Sequence, residues 1–261
     1  PGLLRTSALA ILIVALARPQ HGLTLTTLPE EGIDVVIALD VSGSMSQKTG
    51  IRTDSPNKLS AAREVIGDFI ENLDNDRVGL VTFQSSTLLV SPLTLDHIAL
   101  QRQLDNIESG MLTEGTAIGL GIAEALNLLR ESPARSRIVV LLTDGENNYG
   151  EISPLQAAQI AEALEVRVYT IGFHGTSTTS SQVDVQLLQQ IASKTDANYF
   201  DASTQQELHT AYSTIRTLER SRIGERRFTE FNEFAPPLAV AVVLLLTVET
   251  GLRVTAFRRY P

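Results

Sequence analysis

The stretch "IDVVIALD" (33–40) is apolar without alternation until its last residue. A strand with one wet face alternates apolar with polar side chains. A continuous run therefore reads as a strand buried on both faces. "SRIVVLLTD" (136–144) has the same character, and "RVGLVTF" (77–83) and "RVYTIGF" (167–173) read as further strands. Between them lie stretches with apolar residues at helical spacing. These are "KLSAAREVIGDFIENL", "LDHIALQRQLDNI", "TAIGLGIAEALNLL", "SPLQAAQIAEALE", "DVQLLQQIASKT" and "TQQELHTAYSTIRTLERS". Strands alternating with helices predict a doubly wound α/β fold, a mostly parallel sheet with helices on both faces, over residues 32–221. "TLLVSPLT" reads as an edge strand because Pro92 cannot donate to a ladder, and "NYFDA" as a last short strand. Ser153 is an N-cap with Pro154 at the first helical position. "GTSTTSSQ" (175–182) reads as a loop that could serve as a lid.

The 261 residues suffice for one such domain with attachments. Aromatics make up 5% and Trp is absent, so the core is built from Leu, Ile, Val and Ala. A net charge of -9 speaks against a nucleic-acid binder, which needs a basic footprint. The absence of Cys excludes a disulfide scaffold, a thiolate metal site and a Cys nucleophile. His21, His97, His174 and His209 are scattered without paired spacing, which speaks against a catalytic zinc site.

Both ends are apolar. Residues 234–252, "FAPPLAVAVVLLLTVETGL", reach the length of a bilayer crossing, about 20 residues, and predict a transmembrane helix. Glu249 stands four residues before Arg253, a spacing that allows a local pair at the membrane interface. Residues 1–18 read as a signal anchor, or as a signal-peptide core with Ala15–Leu16–Ala17 as a small-residue cleavage site, or as a buried helix. Residues 19–31 and 222–233 are expected as linkers, and 253–261 as a basic tail. Positive flanks tend to stay cytoplasmic. Arg5 at one end and Arg253, Arg258 and Arg259 at the other then place the long middle on the outer face of a bacterial inner membrane.

Ligands of a doubly wound sheet sit beyond the carboxyl ends of its strands. Two strands end there in "ALDVSGSM" and "LLTDGE", so Asp40 and Asp144 are expected in one crevice, with Ser42 and Ser44 on the loop after Asp40. Thr116 in "TEGTAIG" lies on a Gly-containing loop just ahead of a helix. Carboxylates and hydroxyls without His or Cys suit a hard cation, Mg2+ or Mn2+. Glu146, Asn147 and Asn148 read as a solvated loop or a rim facing a partner.

Asp40-x-Ser42-x-Ser44, Thr116 and Asp144 in "TDG" resemble the metal-ion-dependent adhesion site of von Willebrand factor type A domains. "LARPQ" before the domain, "TDGENN" with "ISPLQAAQIAEAL", and an apolar closing segment resemble the bacterial aerotolerance (Bat-type) membrane proteins. The resemblance implies that Ser42, Ser44 and sometimes Thr116 touch the metal, while Asp40 and Asp144 act largely through water or hydrogen bonds. It further implies a protein partner that supplies a Glu or Asp carboxylate, with sibling Bat-type proteins and a MoxR-type AAA+ ATPase as candidates. Such an ATPase would be cytoplasmic, which conflicts with an outward-facing domain.

The alternatives are enzymes or a scaffold. A haloacid-dehalogenase-type phosphatase needs a second Asp two residues after the first, where this chain has Ser42. No Gly-x-Ser-x-Gly marks a serine hydrolase. "GTAIGLG" lacks the spacing of a dinucleotide loop, and there is no Walker Gly-Lys-Ser/Thr. A membrane scaffold with a purely structural metal site is the remaining alternative to a non-enzymatic binding module.

Overall fold

The computed structural model describes residues 2–17, 20–27, 32–50, 55–73, 75–110, 114–174, 183–223, 227–233 and 235–255. In chain order the first elements are α1 (Gly2–Leu16), β1 (Gln20–Thr27), β2 (Asp34–Asp40), a single 3-10 turn (Gly43–Ser46), α2 (Lys58–Glu71), β3 (Arg77–Phe83) and β4 (Thr87–Thr94). Then come α3 (His97–Asp105), α4 (Ile118–Leu129), β5 (Arg137–Thr143), α5 (Pro154–Ala163) and β6 (Arg167–Phe173). α6 (Val185–Lys194), β7 (Tyr199–Ala202), α7 (Gln205–Ile223), β8 (Arg227–Glu233) and α8 (Ala235–Thr255) complete the order.

The chain divides into two units, residues 30–224 and residues 1–29 with 225–261. In the larger unit six strands form one sheet in the order β4-β3-β2-β5-β6-β7. β2 pairs in parallel with β3 on one side and with β5 on the other. β4 is the expected edge strand, the one antiparallel member, with Pro92 inside it and register shifts along its pairing with β3. Alternate residues of β2 enter opposite cores, which explains its unbroken apolar run. Val35, Ile37 and Leu39 pack with α2, α3 and α7, and Val36 and Ala38 with α4, α5 and α6. The α5 start is as expected: Ser153 Oγ accepts from the Gln156 amide and the Gln156 side chain from the Ser153 amide, a capping box with Pro154 behind it.

The chain runs from β2 through β3 to β4 in one direction, then returns to place β5 on the other side of β2. The switch point, where a crevice opens beyond the strand ends, therefore lies between the ends of β2 and β5. Tight packing holds α4 against this region. A Cβ on Gly121 would stand 2.7 Å from the Phe83 ring, and one on Gly119 2.0 Å from the Ile152 carbonyl oxygen. Gly119 and Gly121 of "GTAIGLG" thus serve close helix packing.

The smaller unit holds a second, two-stranded sheet within the segments expected as linkers. Parts of 19–31 and 222–233 are strands: β1 pairs antiparallel with β8, from Gln20 opposite Glu233 to Thr27 opposite Arg227. Each strand is short, and its partner lies some 200 residues away in sequence (Gln20 to Glu233), so neither segment announces itself alone. α1 packs against α8 in the same unit. The segment expected to span a membrane does form a helix, with Val240, Val243, Leu244 and Val248 exposed and Glu249 buried. Among the described residues, however, no helix is long and apolar enough to cross a membrane. The Arg253 side chain, residues 256–261 of the basic tail and the loop 175–182 lie outside the described residues.

Candidate metal centre

Four of the five expected site residues sit on or directly beyond β2 and β5. Asp40 is the last residue of β2 and is fully buried, Asp144 follows β5 and is fully buried, and Ser42 is buried beside them. The loop after β2 turns at once. The Ser42 amide donates to Asp40 Oδ1 (2.8 Å), and the Met45 and Gln47 amides donate to the Ser42 and Ser44 carbonyls in the 3-10 turn. Met45, fully buried, pins that turn to the core. The Ser42 and Ser44 hydroxyls stand 3.0 Å apart, and Ser44 Oγ donates to Asp144 Oδ1 at 2.6 Å.

Thr116 comes from the third segment, and the structure shows what holds it there. Gly115 takes φ +130, a backbone conformation that L side chains rarely adopt. The Asn148 side-chain oxygen accepts from the Thr116 amide (2.8 Å), and the Asn148 and Tyr149 amides donate to the Thr116 carbonyl (3.0 and 3.2 Å). The Asn147 side chain accepts from the Ile118 amide (2.9 Å), satisfying the start of α4, which has no side-chain cap of its own. Asn147 and Asn148 are thus braces of the Thr116 loop, more than the solvated rim expected for them. Glu146 is exposed. A Cβ on Gly145 would stand 3.7 Å from the Thr116 hydroxyl and 4.0 Å from that of Ser44. Both hydroxyls therefore lie beside Gly145.

Hydrogen bonds already occupy both carboxylates. Asp40 Oδ2 accepts from Thr143 Oγ1 (2.6 Å), opposite the bond from the Ser42 amide. Asp144 Oδ2 accepts from Lys58 Nζ at 2.6 Å, and both side chains of this ion pair are almost completely buried. Burial first, and then the Asp144 charge, push the Asp40 carboxyl up to about 6, against the hydrogen bonds from Ser42 and Thr143 that favour its ionised form. Ser109, whose hydroxyl donates to the Ser42 carbonyl (2.9 Å), and Gly110, whose amide donates to that of Val41 (3.0 Å), brace the loop from beyond α3. Sequence reasoning missed Lys58, Thr143, Ser109 and the bracing role of the two asparagines. Thr143, adjacent to Asp144 in "LLTDGE", is the one whose position carried a signal.

The donor set fits a hard cation. The Ser42 and Ser44 hydroxyls and the Asp144 carboxylate form one hydrogen-bonded group, and the Thr116 and Ser44 hydroxyls both lie within 4.0 Å of where a Gly145 Cβ would stand. Among the described residues no three His, Asp or Glu side chains come together as a metal cluster; the oxygens of Asp40, Ser42, Ser44, Thr116 and Asp144 are of the hard type that suits Mg2+ or Mn2+.

Residues 34–214 match the family model of the von Willebrand factor type A domain, and the chain belongs to that family. A UPF0353 protein of Mycolicibacterium paratuberculosis is 31% identical over 286 residues, covering 100% of this chain and 80% of its own length. An uncharacterized protein of Borreliella burgdorferi is 38% identical over 165 residues, covering 63% of this chain and 48% of its own length. The chain thus spans about half the length of the Borreliella relative. Two solved structures share the fold at TM-score 0.60. One is an aerotolerance-related membrane protein from Bacteroides fragilis, 24% identical over 70% of this chain and 98% of that one. The other is BatB from Bacteroides thetaiotaomicron, 25% identical over 71% of this chain and 100% of that one. Proximal thread matrix protein 1 from the mussel byssus, solved with a zinc-occupied metal-ion-dependent adhesion motif, is 20% identical at TM-score 0.59, over 74% of this chain and 47% of that one.

Proposed function

We propose that this chain is a membrane-anchored, divalent-cation-dependent module that captures an acidic residue of a partner protein. The observation that carries the reading is the gathering of two buried, hydrogen-bonded carboxylates and three hydroxyls at the ends of β2 and β5. Asp40 and Asp144 each accept two hydrogen bonds of 2.8 Å or shorter, the Ser42 and Ser44 hydroxyls stand 3.0 Å apart, and the Thr116 hydroxyl lies with that of Ser44 beside Gly145. In this reading Ser42, Ser44 and Thr116 hold the cation directly, and Asp40 and Asp144 orient them and supply negative charge from behind. A bound Mg2+ or Mn2+ would supply a Lewis-acidic position for a partner's carboxylate, because neutral ligands leave much of its charge uncompensated. The occupied site in the mussel protein of the same fold supports a metal here.

The anchor is the pair α1 and α8, whose outward apolar side chains (Leu9, Ile13, Val243 and Leu244 among them) would face lipid. The membrane-protein description of the Bacteroides fragilis neighbour supports that placement. The larger unit faces the outside of a bacterial inner membrane, where sibling membrane proteins are within reach. One observation favours the scaffold alternative. The Lys58 ammonium already supplies a positive charge to Asp144, so the loop has a staple without any metal.

A pull-down from membranes of the source cells separates the readings. The binding module retains partners in Mg2+, loses them in EDTA, and fails to retain them after the extract's carboxylates are converted to amides. Capture that persists in EDTA contradicts it.

A further inference from the structure

Lys58 breaks two rules at once. It is 1% exposed, where a lone ammonium pays a large desolvation cost. It is also the first residue of α2, where the helix dipole disfavours a cation. The helix start is otherwise complete: Asn57 caps it by accepting from the Ser60 amide (2.7 Å), and the Lys58 amide donates to the Gln47 carbonyl (2.8 Å). Neither bond needs a charged side chain at position 58. What the side chain reaches is Asp144 Oδ2, at 2.6 Å, while Ser44 holds the other oxygen of that carboxylate.

We infer that Lys58 is the residue that sets the cation affinity of the site, an internal counter-charge that holds Asp144 back from the metal and lowers the site's negative charge. The inference rests on the metal-binding reading above and deepens it. Asp144 has two oxygens. Lys58 engages one and the Ser44 hydroxyl the other, so the carboxylate orients that hydroxyl and part of its charge is already compensated by the ammonium. Among the described residues, the buried charges of Asp40, Asp144 and Lys58 are two carboxylates and one ammonium. A divalent ion then meets weaker attraction than two free carboxylates would exert, and it stays electrophilic toward an incoming acid. Lys58 thereby trades metal affinity for strength toward the partner. Its chemistry also makes the metal-free site self-sufficient, since a buried Asp40–Asp144 pair without it would hold two uncompensated charges.

The test compares Mn2+ titrations of the full chain in detergent with those of Lys58→Met, which keeps the bulk and removes the charge. Lys58→Met is expected to bind Mn2+ at least about tenfold more tightly, because a positive charge a few ångströms from the ion is gone. Its melting temperature is also expected to rise further between EDTA and saturating Mn2+ than that of the wild type. A folded Lys58→Met that binds Mn2+ with unchanged or weaker affinity overturns the inference, since a purely structural lysine gives that result. Should Lys58→Met not fold in EDTA, Asp144→Asn and the double variant Lys58→Met/Asp144→Asn decide. Asp144→Asn leaves the ammonium uncompensated and binds poorly, and removing the ammonium as well restores affinity by about tenfold or more. A double variant no better than Asp144→Asn overturns the inference. If the wild type binds Mn2+ and only the Lys58 effect is missing, the metal reading survives alone. If neither the wild type nor any variant binds it, both fall.

Discussion

Among single residues, Asp40 shows how burial acts against a carboxylate. It lies at 0% exposure beside a second buried acid, and its carboxyl is pushed up to about 6 from 3.8. The folded chain thus holds that proton more tightly than the unfolded chain. The group's contribution to stability is greatest below pH 3.8 and declines as pH rises through about 6. That decline amounts to roughly 3 kcal/mol, at about 1.4 kcal/mol for each tenfold change in proton affinity. Urea unfolding between pH 4 and 7 in EDTA, taken as the difference between the wild type and Asp40→Asn, is expected to show it. Saturating Mg2+ should flatten the curve, since a cation favours the ionised carboxylate. A difference curve that rises with pH would show that the hydrogen bonds from Ser42 and Thr143 outweigh burial. Much of the site was legible from sequence, because Asp40, Ser42 and Ser44 lie within one turn and Asp144 follows a strand. The roles of Lys58 and Asn148 were not legible. They depend on partners at Asp144 and Thr116, and a polar residue at a helix start or in a loop has an ordinary solvated explanation.

Between elements, a second polar cluster at the other end of the sheet ties α7 to the core. Glu219, fully buried, accepts from Arg167 Nε (2.8 Å), Ser136 Oγ (2.7 Å) and the Tyr169 hydroxyl. Burial alone would raise the Glu219 carboxyl; the bonds from Arg167, Tyr169 and Ser136 outweigh it and hold the group below its ordinary range. Arg167 is the first residue of β6 and Glu219 lies in the last turns of α7, so one carboxylate fixes where the helix ends against the sheet. Glu219→Ala leaves the Arg167 and Tyr169 polar groups without it and is expected to cost about 3–5 kcal/mol, read as a lower urea midpoint with an unchanged slope. A loss under about 1 kcal/mol would mean that water replaces the carboxylate. The strands and helices were legible because apolar periodicity is local. The ribbon of β1 and β8 was not, because its strands are short, separated by the whole domain and defined only by each other.

For the whole molecule, the topology explains why the candidate site residues come together. The chain winds outward from β2 in one direction and then in the other. The two strands that end in acids are therefore neighbours, and the loops beyond them part to leave room. Gly119 and Gly121 let α4 pack closely on Ile152 and Phe83, and the loop ahead of α4 brings the Thr116 hydroxyl beside Gly145, next to Asp144. α1 and α8 belong to the other unit and supply the apolar surface of the proposed anchor. The functional reading stands or falls on whether Asp40, Ser42, Ser44, Thr116 and Asp144 together hold one divalent cation. Calorimetric titration of Mg2+ and Mn2+ into the full chain in detergent, with Asp40→Ala as the control, decides that. We expect saturable binding of one ion per chain, absent in an Asp40→Ala protein whose circular dichroism is unchanged. Equal binding by that variant, or none by the wild type at millimolar metal, would contradict it.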